Sequence, residues 1–202
     1  MIDAKMVAEL RAKTGAGIVD CKKALDENNG DMELAAEWLR KKGIMKAGSK
    51  AERVAKEGLI YSYVHGNGKV GAMVEMACET DFVARTDAFK EICHEMALQI
   101  VAMNPLYVSK DTVPAEVIEK EKSIYAEEFA GGNKPAEMVA KILEGKMGKY
   151  YNETCLLSQA YIKDEDKTIE DVIKEAIAKT GENIQVRRFA RFSMEHQTQV
   201  PT

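Results

Sequence analysis

The segment CETDFVARTD, residues 78–87, decides the fold because the hydrophobic pattern changes its period across it. Before this segment, the side chains of residues 70–78 alternate in two sets, one mainly apolar, which predicts a β-strand. After it, apolar side chains recur at steps of three and four from Phe89 to Met103, which predicts an α-helix. The chain therefore leaves a sheet and enters a helix at a surface turn, where Thr86 or Asp87 is placed to cap the helix.

Phe82 is the unusual residue of this turn, because it places a large apolar ring beside the carboxylate of Asp81. Two interpretations are open. The ring either folds back over the following helix as a satellite of the core, or it projects as an anchor for a pocket on a partner protein, since buried aromatic side chains carry much of the energy of protein interfaces. Spacing alone does not choose between them.

The composition is that of an ordinary globular protein: 202 residues, of which 46% are hydrophobic and 31% are charged. The net charge of -4 argues against nucleic acid as the main partner, because binding to phosphate backbones depends on a surplus of Lys and Arg. No apolar run reaches the ~18 residues of a membrane helix, and residues 1–5 lack the features of a signal or transit peptide. We therefore expect a cytoplasmic protein that binds proteins or small molecules and does not bind membranes.

The sequence offers no pattern typical of an enzyme. The four cysteines are scattered without CxxC pairing, which indicates small buried side chains in a reducing compartment and neither a disulfide framework nor a zinc site: Cys21, Cys78, Cys93 and Cys155. Residues 66–69 have the wrong spacing for a phosphate-binding loop. Cys93 and His94 are helix neighbours whose side chains point ~100° apart, so they do not form a nucleophile and its base. We expect a protein that is not an enzyme and holds no metal or cofactor.

Residues 1–45 are predicted to form a module of three short helices, separated by Gly15-Ala16-Gly17 and by Asn28-Asn29-Gly30. Asp31 is the expected N-cap of the third helix, and Gly43 is its expected end. Trp38, the only tryptophan, is expected to fill the core. At the start of the second helix, Ile18 is compatible with a core position, whereas Val19 lies on a charged face.

Residues 46–57 are predicted to form a polar helical linker. Residues 58–194 are predicted to form an α+β domain, in which helices cover one side of a small antiparallel sheet. The segment 65–68 is the expected turn of a β-hairpin, and residues 184–192 are the expected last strand. Further helices are expected after Pro114 and from Pro135, with inward side chains that include Ile124, Phe129 and Met138. Gly131-Gly132 is the expected stop between them, and residues 195–202 form the expected mobile tail.

Three arginines and an aromatic residue occur together in the predicted last strand: Arg187, Arg188, Arg191 and Phe189. Such a cluster is compatible with stacking on RNA bases. In an acidic protein, a solvated sheet face or a contact with an acidic partner is the better interpretation. One predicted face of the strand carries Ile184, Val186, Ala190 and Phe192 and is interrupted by Arg188, and the other face carries Gln185, Arg187, Phe189 and Arg191.

Two segments resemble the elongation factor Ts family, the bacterial nucleotide exchange factors for elongation factor Tu. Residues 10–25, LRAKTGAGIVDCKKAL, are similar to the N-terminal segment of that family, whose domain resembles the ubiquitin-associated three-helix bundle. Residues 80–85, TDFVAR, are similar to its signature segment. The resemblance extends over nearly the whole chain, through residues 131–135, 141–147 and 179–184. Many members contain two copies of the sheet-and-helix core, whereas this chain has one, so it resembles the short form, which is expected to pair as a homodimer.

The resemblance implies a guanine nucleotide exchange factor of translation elongation that binds elongation factor Tu, both GDP-bound and nucleotide-free, in a two-plus-two complex. It implies a wedge near the magnesium site of the partner that promotes the release of GDP so that GTP can rebind: Thr80, Asp81, Phe82 and Val83. The alternative is a non-catalytic interaction module that binds another cytoplasmic partner.

The resemblance also implies two further contact regions. The N-terminal module would dock on the same partner through Arg11, Ile18 and Val19. The core would add contacts from the loop Thr180, Gly181, Glu182 and Asn183, and from His65. From the residues alone, His65 at the tip of the hairpin is either a plain surface residue or a polar contact to a partner.

Overall fold

The computed structural model describes residues 2–48, 50, 52–127 and 136–194, which contain helices and strands in an α+β arrangement. The helices are α1 (Ala4–Thr14), α2 (Ile18–Glu27), α3 (Met32–Gly48), α4 (Asp81–Ala84), α5 (Asp87–Met103), α6 (Ala115–Glu127), α7 (Ala136–Thr154) and α8 (Ile169–Thr180). The strands are β1 (Glu57–Val64), β2 (Val70–Cys78), β3 (Ala160–Tyr161), β4 (Asp164–Thr168) and β5 (Gln185–Ser193).

Several predictions fall outside the described residues. They are the inward position of Phe129, the stop at Gly131-Gly132, the helix start at Pro135 and the tail 195–202. No helix in the described ranges has the length and apolar content to cross a membrane.

The chain forms two compact units, and each contains segments that are distant in the sequence. The first unit contains Met1–Leu59, Met76–Ile92 and Asp171–Gln185. The second contains Ile60–Glu75, Cys93–Glu170 and Val186–Thr202. The sequence-based boundaries at residues 45, 57 and 194 stay predictions.

In the first unit, one face each of α1, α2 and α3 forms a small apolar core: Leu10, Cys21, Ala24, Leu25, Ala35 and Leu39. The predicted cap of α3 is confirmed, because Asp31 Oδ1 accepts hydrogen bonds from the backbone N–H groups of Glu33 and Leu34, both at 2.9 Å. This cap satisfies donors that the first turn of a helix leaves unpaired. Three helices are therefore present as predicted, whereas the likeness to a ubiquitin-associated bundle stays a prediction.

The predicted end of the third helix at Gly43 is wrong, because α3 continues to Gly48. A Cβ atom on Gly43 would lie 2.9 Å from the Cβ of Ala178 in α8. The glycine therefore permits a close approach of two helices and does not end one. Trp38 is partly buried and packs against the apolar core, with the Lys42 ammonium 4.7 Å from its ring centroid.

The main sheet has the strand order β1-β2-β5. As predicted, β1 and β2 form a hairpin, in which His65 donates its N–H to the carbonyl of Val70 at 2.9 Å and Gly68 has φ +70°. The N–H of Met194 donates to the carbonyl of Lys69 at 2.8 Å, and Arg188 Nε donates to Glu75 Oε2 at 2.6 Å. Because the later residue on the β5 side lies beside the earlier residue on the β2 side, the two strands are antiparallel. The predicted α+β class with an antiparallel sheet is confirmed.

The predicted orientation of β5 is wrong in the second unit. The guanidinium of Arg191 lies against α5, where Nε and Nη2 each donate to the carbonyl of Val101 at 3.2 Å. The apolar side chain of Phe192 lies on the other face and is 66% exposed. Pairing with β2 sets the register, and a register fixes which residues face the helices whatever their polarity. Arg188 and Arg191 are therefore both engaged within the chain, on opposite faces of the strand.

Two further side chains differ from their predicted inward positions. Ile124 in α6 is 44% exposed and Met138 in α7 is 53% exposed. Other side chains on the predicted apolar stripes are buried as expected, among them Phe89 and Met96 in α5 and Met147 in α7. The second sheet, in which β3 and β4 pair antiparallel, includes a strand β4 that the sequence did not indicate. Its charged residues 164–167 lack the alternation on which strand prediction relies.

Candidate protein-binding site

Phe82 lies on a short turn of helix between β2 and α5, which we call the Thr80 turn (residues 79–85). Thr80 is the N-cap of α4, and its Oγ accepts the N–H of Val83 at 3.5 Å. Thr86 Oγ accepts the N–H of Phe89 at 3.2 Å, so Thr86 caps α5. The hydroxyl of Thr86 also donates to the carbonyl of Val83 at 2.8 Å. Local hydrogen bonds therefore fix the path of the chain from strand to helix.

The ring of Phe82 is 80% exposed, whereas the neighbouring Ala84 and Phe89 are buried. The interpretation of Phe82 as a lid on the following helix is therefore wrong. Beside it, the half-exposed carboxylate of Asp81 forms an ion pair with Arg85 Nη2 at 2.8 Å. An exposed phenylalanine on an ordered turn is suited to bind a pocket, because its burial against a partner removes a large apolar area from water.

The Thr80 turn is held by the connection between α8 and β5. Glu182 Oε2 accepts the N–H groups of Glu79 at 3.1 Å and Thr80 at 3.0 Å, and its Oε1 accepts the Thr80 hydroxyl at 2.6 Å. In return, Glu79 Oε1 accepts the N–H of Asn183 at 2.7 Å. The Asn183 side chain is buried, and its Nδ2 donates to the carbonyl of Arg53 at 2.7 Å. The link between Glu79 and the loop 180–183 has no sequence signal, because the two segments are more than a hundred residues apart.

Within the predicted loop 180–183, the polar groups make contacts inside the first unit. Thr180 Oγ donates to the carbonyl of Ala176 at 2.9 Å, and the carbonyl of Gly181 accepts from Lys50 Nζ at 2.7 Å. Of the four loop residues, Glu182 and Asn183 bind the Thr80 turn, whereas Thr180 and Gly181 bind Ala176 and Lys50.

Cys78 precedes the turn and is fully buried. Its Sγ donates to the carbonyl of Thr80 at 3.1 Å. Burial raises the pKa of the Cys78 thiol, and the negative charge of Glu182 raises it further. The thiol is therefore protonated at neutral pH and acts as a packed donor and not as a nucleophile.

The second predicted contact region lies at the start of α2. Ile18 is 57% exposed and Val19 is 82% exposed, so neither belongs to the core of the three helices. Arg11 on α1 is exposed as well. These three residues belong to the first unit, as do the Thr80 turn and the loop 180–183.

His65 belongs to the second unit and lies exposed at the tip of the hairpin, as predicted. Its Nδ1 lies 3.1 Å from the hydroxyl of Tyr63, and the two rings are in an edge-on arrangement. His65 is thus the one predicted site residue that the structure assigns to a different unit from the others.

The described residues offer exposed apolar surfaces in the first unit. In the ranges that the structure describes, no three His, Cys, Asp or Glu side chains converge as metal ligands. All four cysteines are buried. An exposed aromatic residue on a rigid turn and an exposed aliphatic pair on a helix are features of a protein that binds another protein.

Comparison with known proteins agrees with this class. The pattern of the family described as Elongation factor TS matches residues 45–177. The chain is 56% identical over 193 residues to elongation factor Ts of Fervidobacterium nodosum, covering 96% of this chain and 98% of that relative. It is 55% identical to the proteins of the same name from Thermosipho melanesiensis, covering 96% and 99%, and from Thermotoga maritima, covering 96% of each. The chain belongs to the elongation factor Ts family and has a role in translation elongation.

Proposed function

We propose that this protein is a guanine nucleotide exchange factor that acts on elongation factor Tu in the cytoplasm. The observation that carries the proposal is the Thr80 turn, which presents Phe82 to solvent in the segment that resembles the signature of the family. An exchange factor needs no catalytic acid, base or metal of its own. It needs to bind its partner more tightly without nucleotide than with it, and by linkage it then weakens the affinity for GDP by the same ratio.

In this proposal, Phe82 enters the nucleotide-binding domain of the partner beside the magnesium site, with Thr80, Asp81 and Val83 around it. The ring has no core contacts to give up, because most of its surface is exposed. Asp81 gives up little as well, since an exposed ion pair such as that with Arg85 contributes only ~0–1 kcal/mol. The turn therefore binds without unfolding any part of itself, which reduces the ordering cost of association.

The exposed aliphatic pair Ile18 and Val19 on α2, with the exposed Arg11 on α1, provides a second contact on the same partner. Two contact regions in one protein raise affinity, because the second binding event is intramolecular once the first has formed. His65, together with Thr180 and Gly181 at the surface of the first unit, completes the proposed contacts.

The direct test is Phe82→Ala, assayed by the release of a fluorescent GDP analogue from purified elongation factor Tu. Truncation of an interface anchor costs ~2 kcal/mol or more, which corresponds to a loss of about thirtyfold in acceleration. The fold should be unaffected, because the ring lies outside the core, so the thermal unfolding curve should match that of the parent. Ile124→Ala, which removes another exposed apolar side chain, is the matched control and should exchange nucleotide at the parental rate.

Two results would contradict the proposal. Parental exchange by the Phe82 variant would show that the wedge assignment is wrong. Binding of elongation factor Tu with no acceleration of GDP release by the parent protein would leave only the alternative, an interaction module without exchange activity.

We also propose that the protein forms a homodimer through the open face of its main sheet. In the second unit this face carries exposed apolar side chains: Ile60, Val64, Met73, Phe192 and Met194. Four of them, Val64, Met73, Phe192 and Met194, line one shallow groove. A contiguous apolar patch of this kind marks an interaction site, and a second copy of the same face can cover it by twofold symmetry. A two-plus-two complex with elongation factor Tu would follow.

Sedimentation of Phe192→Lys tests the homodimer. A charge introduced into the patch should convert a dimer to a monomer, whereas Ile124→Lys should leave the mass unchanged. A dimer that persists in the Phe192 variant would place the contact on another surface.

A further inference from the structure

We propose that Glu182 is a positioning residue for nucleotide exchange: it holds the Thr80 turn in the shape that presents Phe82, and it does not itself contact the partner. The inference rests on the proposed role of Phe82. It also revises what the resemblance implies for Glu182, which there belongs to a contact loop.

The geometry accounts for both oxygen atoms of the Glu182 carboxylate. Oε2 accepts the two consecutive backbone N–H groups of Glu79 and Thr80, and Oε1 accepts the Thr80 hydroxyl. Hydrogen bonds to a charged carboxylate are roughly twice as strong as those between neutral groups. A carboxylate engaged in this way has little remaining capacity to bind another protein.

These bonds act where the chain changes direction. Thr80 has an extended backbone, with φ -130° and ψ 154°, and the helical turn begins at the next residue. Glu182 binds the N–H groups of Glu79 and Thr80, which belong to the peptide groups before and after Glu79. It thereby fixes the direction in which α4 starts. The orientation of Phe82, the second residue of α4, depends on that direction.

The connection is reciprocal, which makes the arrangement stiff. Glu79 Oε1 accepts the N–H of Asn183, and its carboxylate also lies 3.6 Å from Arg53 Nη1. Asn183 in turn binds the backbone of Arg53. Each of the two segments therefore binds the backbone of the other through a glutamate side chain, and all of these groups lie in the first unit.

The exchange activities of Glu182 variants distinguish a residue that positions the Thr80 turn from one that contacts the partner. Glu182→Ala should lower the acceleration of GDP release about tenfold, because the loss of charge-assisted hydrogen bonds loosens the turn. Glu182→Gln should restore most of the activity. Its amide oxygen can accept both N–H groups, and its NH₂ group can donate to Thr80 Oγ. Glu144→Ala, which removes an exposed carboxylate from α7, is the control for net charge and should exchange at the parental rate.

A double-mutant cycle with Phe82→Ala gives the decisive readout. If Glu182 acts through Phe82, Glu182→Ala should reduce exchange about tenfold in the parent and should have no further effect in the Phe82→Ala background. An equal loss in both backgrounds would overturn the proposal, because Glu182 would then act by direct contact or through general stability. Failure of Glu182→Gln to recover activity would overturn it as well.

Amide hydrogen exchange on the protein without its partner tests the same claim independently of exchange activity. The amide protons of Glu79 and Thr80 should exchange at least about tenfold faster in Glu182→Ala, and near the parental rate in Glu182→Gln. Unchanged protection in Glu182→Ala would overturn the proposal. Suppose that Phe82→Ala keeps parental exchange activity and that the amides of Glu79 and Thr80 lose protection in Glu182→Ala. The proposed function of Phe82 would then fail, whereas the role of Glu182 in fixing the turn would stand.

Discussion

Gly58, at the beginning of β1, is the position where we expect a single added methyl group to have the largest effect on stability. Its φ is +143°, a backbone conformation that side chains with a Cβ rarely adopt. A Cβ built there would lie 2.0 Å from the carbonyl oxygen of Met76 and 2.8 Å from the Cα of Ala77. Both obstacles are backbone atoms of the paired strand β2, so they cannot move aside as the end of a flexible side chain can.

The cost of Gly58→Ala has two parts. Holding a residue in a sparsely populated backbone region costs ~1–3 kcal/mol of stability, and overpacking against fixed neighbours costs a further ~1–3 kcal/mol. We therefore expect a loss of about 2–6 kcal/mol in the free energy of unfolding, a large share of the ~5–15 kcal/mol of a typical domain. The effect should appear as a lower midpoint of urea unfolding with little change in slope.

Gly66→Ala is the matched control. Gly66 lies at the hairpin tip, has no atom within 4 Å of a built Cβ, and is not among the glycines with positive φ. The free energy of unfolding of the Gly66→Ala protein should differ from the parental value by no more than ~0.5 kcal/mol. The steric reasoning would be refuted if the free energy of unfolding of Gly58→Ala lay within ~1 kcal/mol of the parental value, which is below the expected range.

Two further predictions concern buried polar groups. Burial opposes ionisation of Glu95, but hydrogen bonds from Lys163 and Tyr161 outweigh it and lower the pKa of this carboxyl. Because the lowered pKa stabilises the fold above the unfolded-state value near 4.3, Glu95→Gln should cost ~1.5 kcal/mol in urea unfolding at pH 7. The difference should shrink as the pH falls below about 4; an equal cost at pH 7 and pH 3 would contradict it. The four buried cysteines should react slowly with a thiol reagent in the native protein and completely in urea, since burial also raises the pKa of Cys155; rapid native labelling would contradict their burial.

Much of the fold could be predicted from the sequence, because most helices and strands bury one face and therefore carry a regular apolar period. The bounds of α2 and the strand β2 follow directly from such patterns, and the cap of α3 follows from Asp31. Gly43 shows the limit of local signals. A glycine that ends a helix and a glycine that admits a neighbouring helix look the same in a sequence, and the distinction depends on Ala178.

The candidate site was predictable in part. The position of Phe82 at a surface turn follows from the change of period, but its exposure depends on which side chains fill the core instead, here Ala84 and Phe89. The orientation of β5 was not predictable from its own residues, because pairing with β2 decides which face meets α5. The hold of Glu182 on the turn has no periodic signature at all.

The separation between Glu182 and the residues that it binds has a consequence for biosynthesis. The bonds from Glu79 and Thr80 to Glu182 join positions that are 103 and 102 residues apart. At the ~5–20 residues per second of bacterial ribosomes, ~5–20 s pass between the synthesis of the two ends. A nascent chain thus contains the Phe82 segment seconds before Glu182 is available to fix it. A chain released before residue 182 would contain Phe82 but would lack the hydrogen bonds that fix the Thr80 turn.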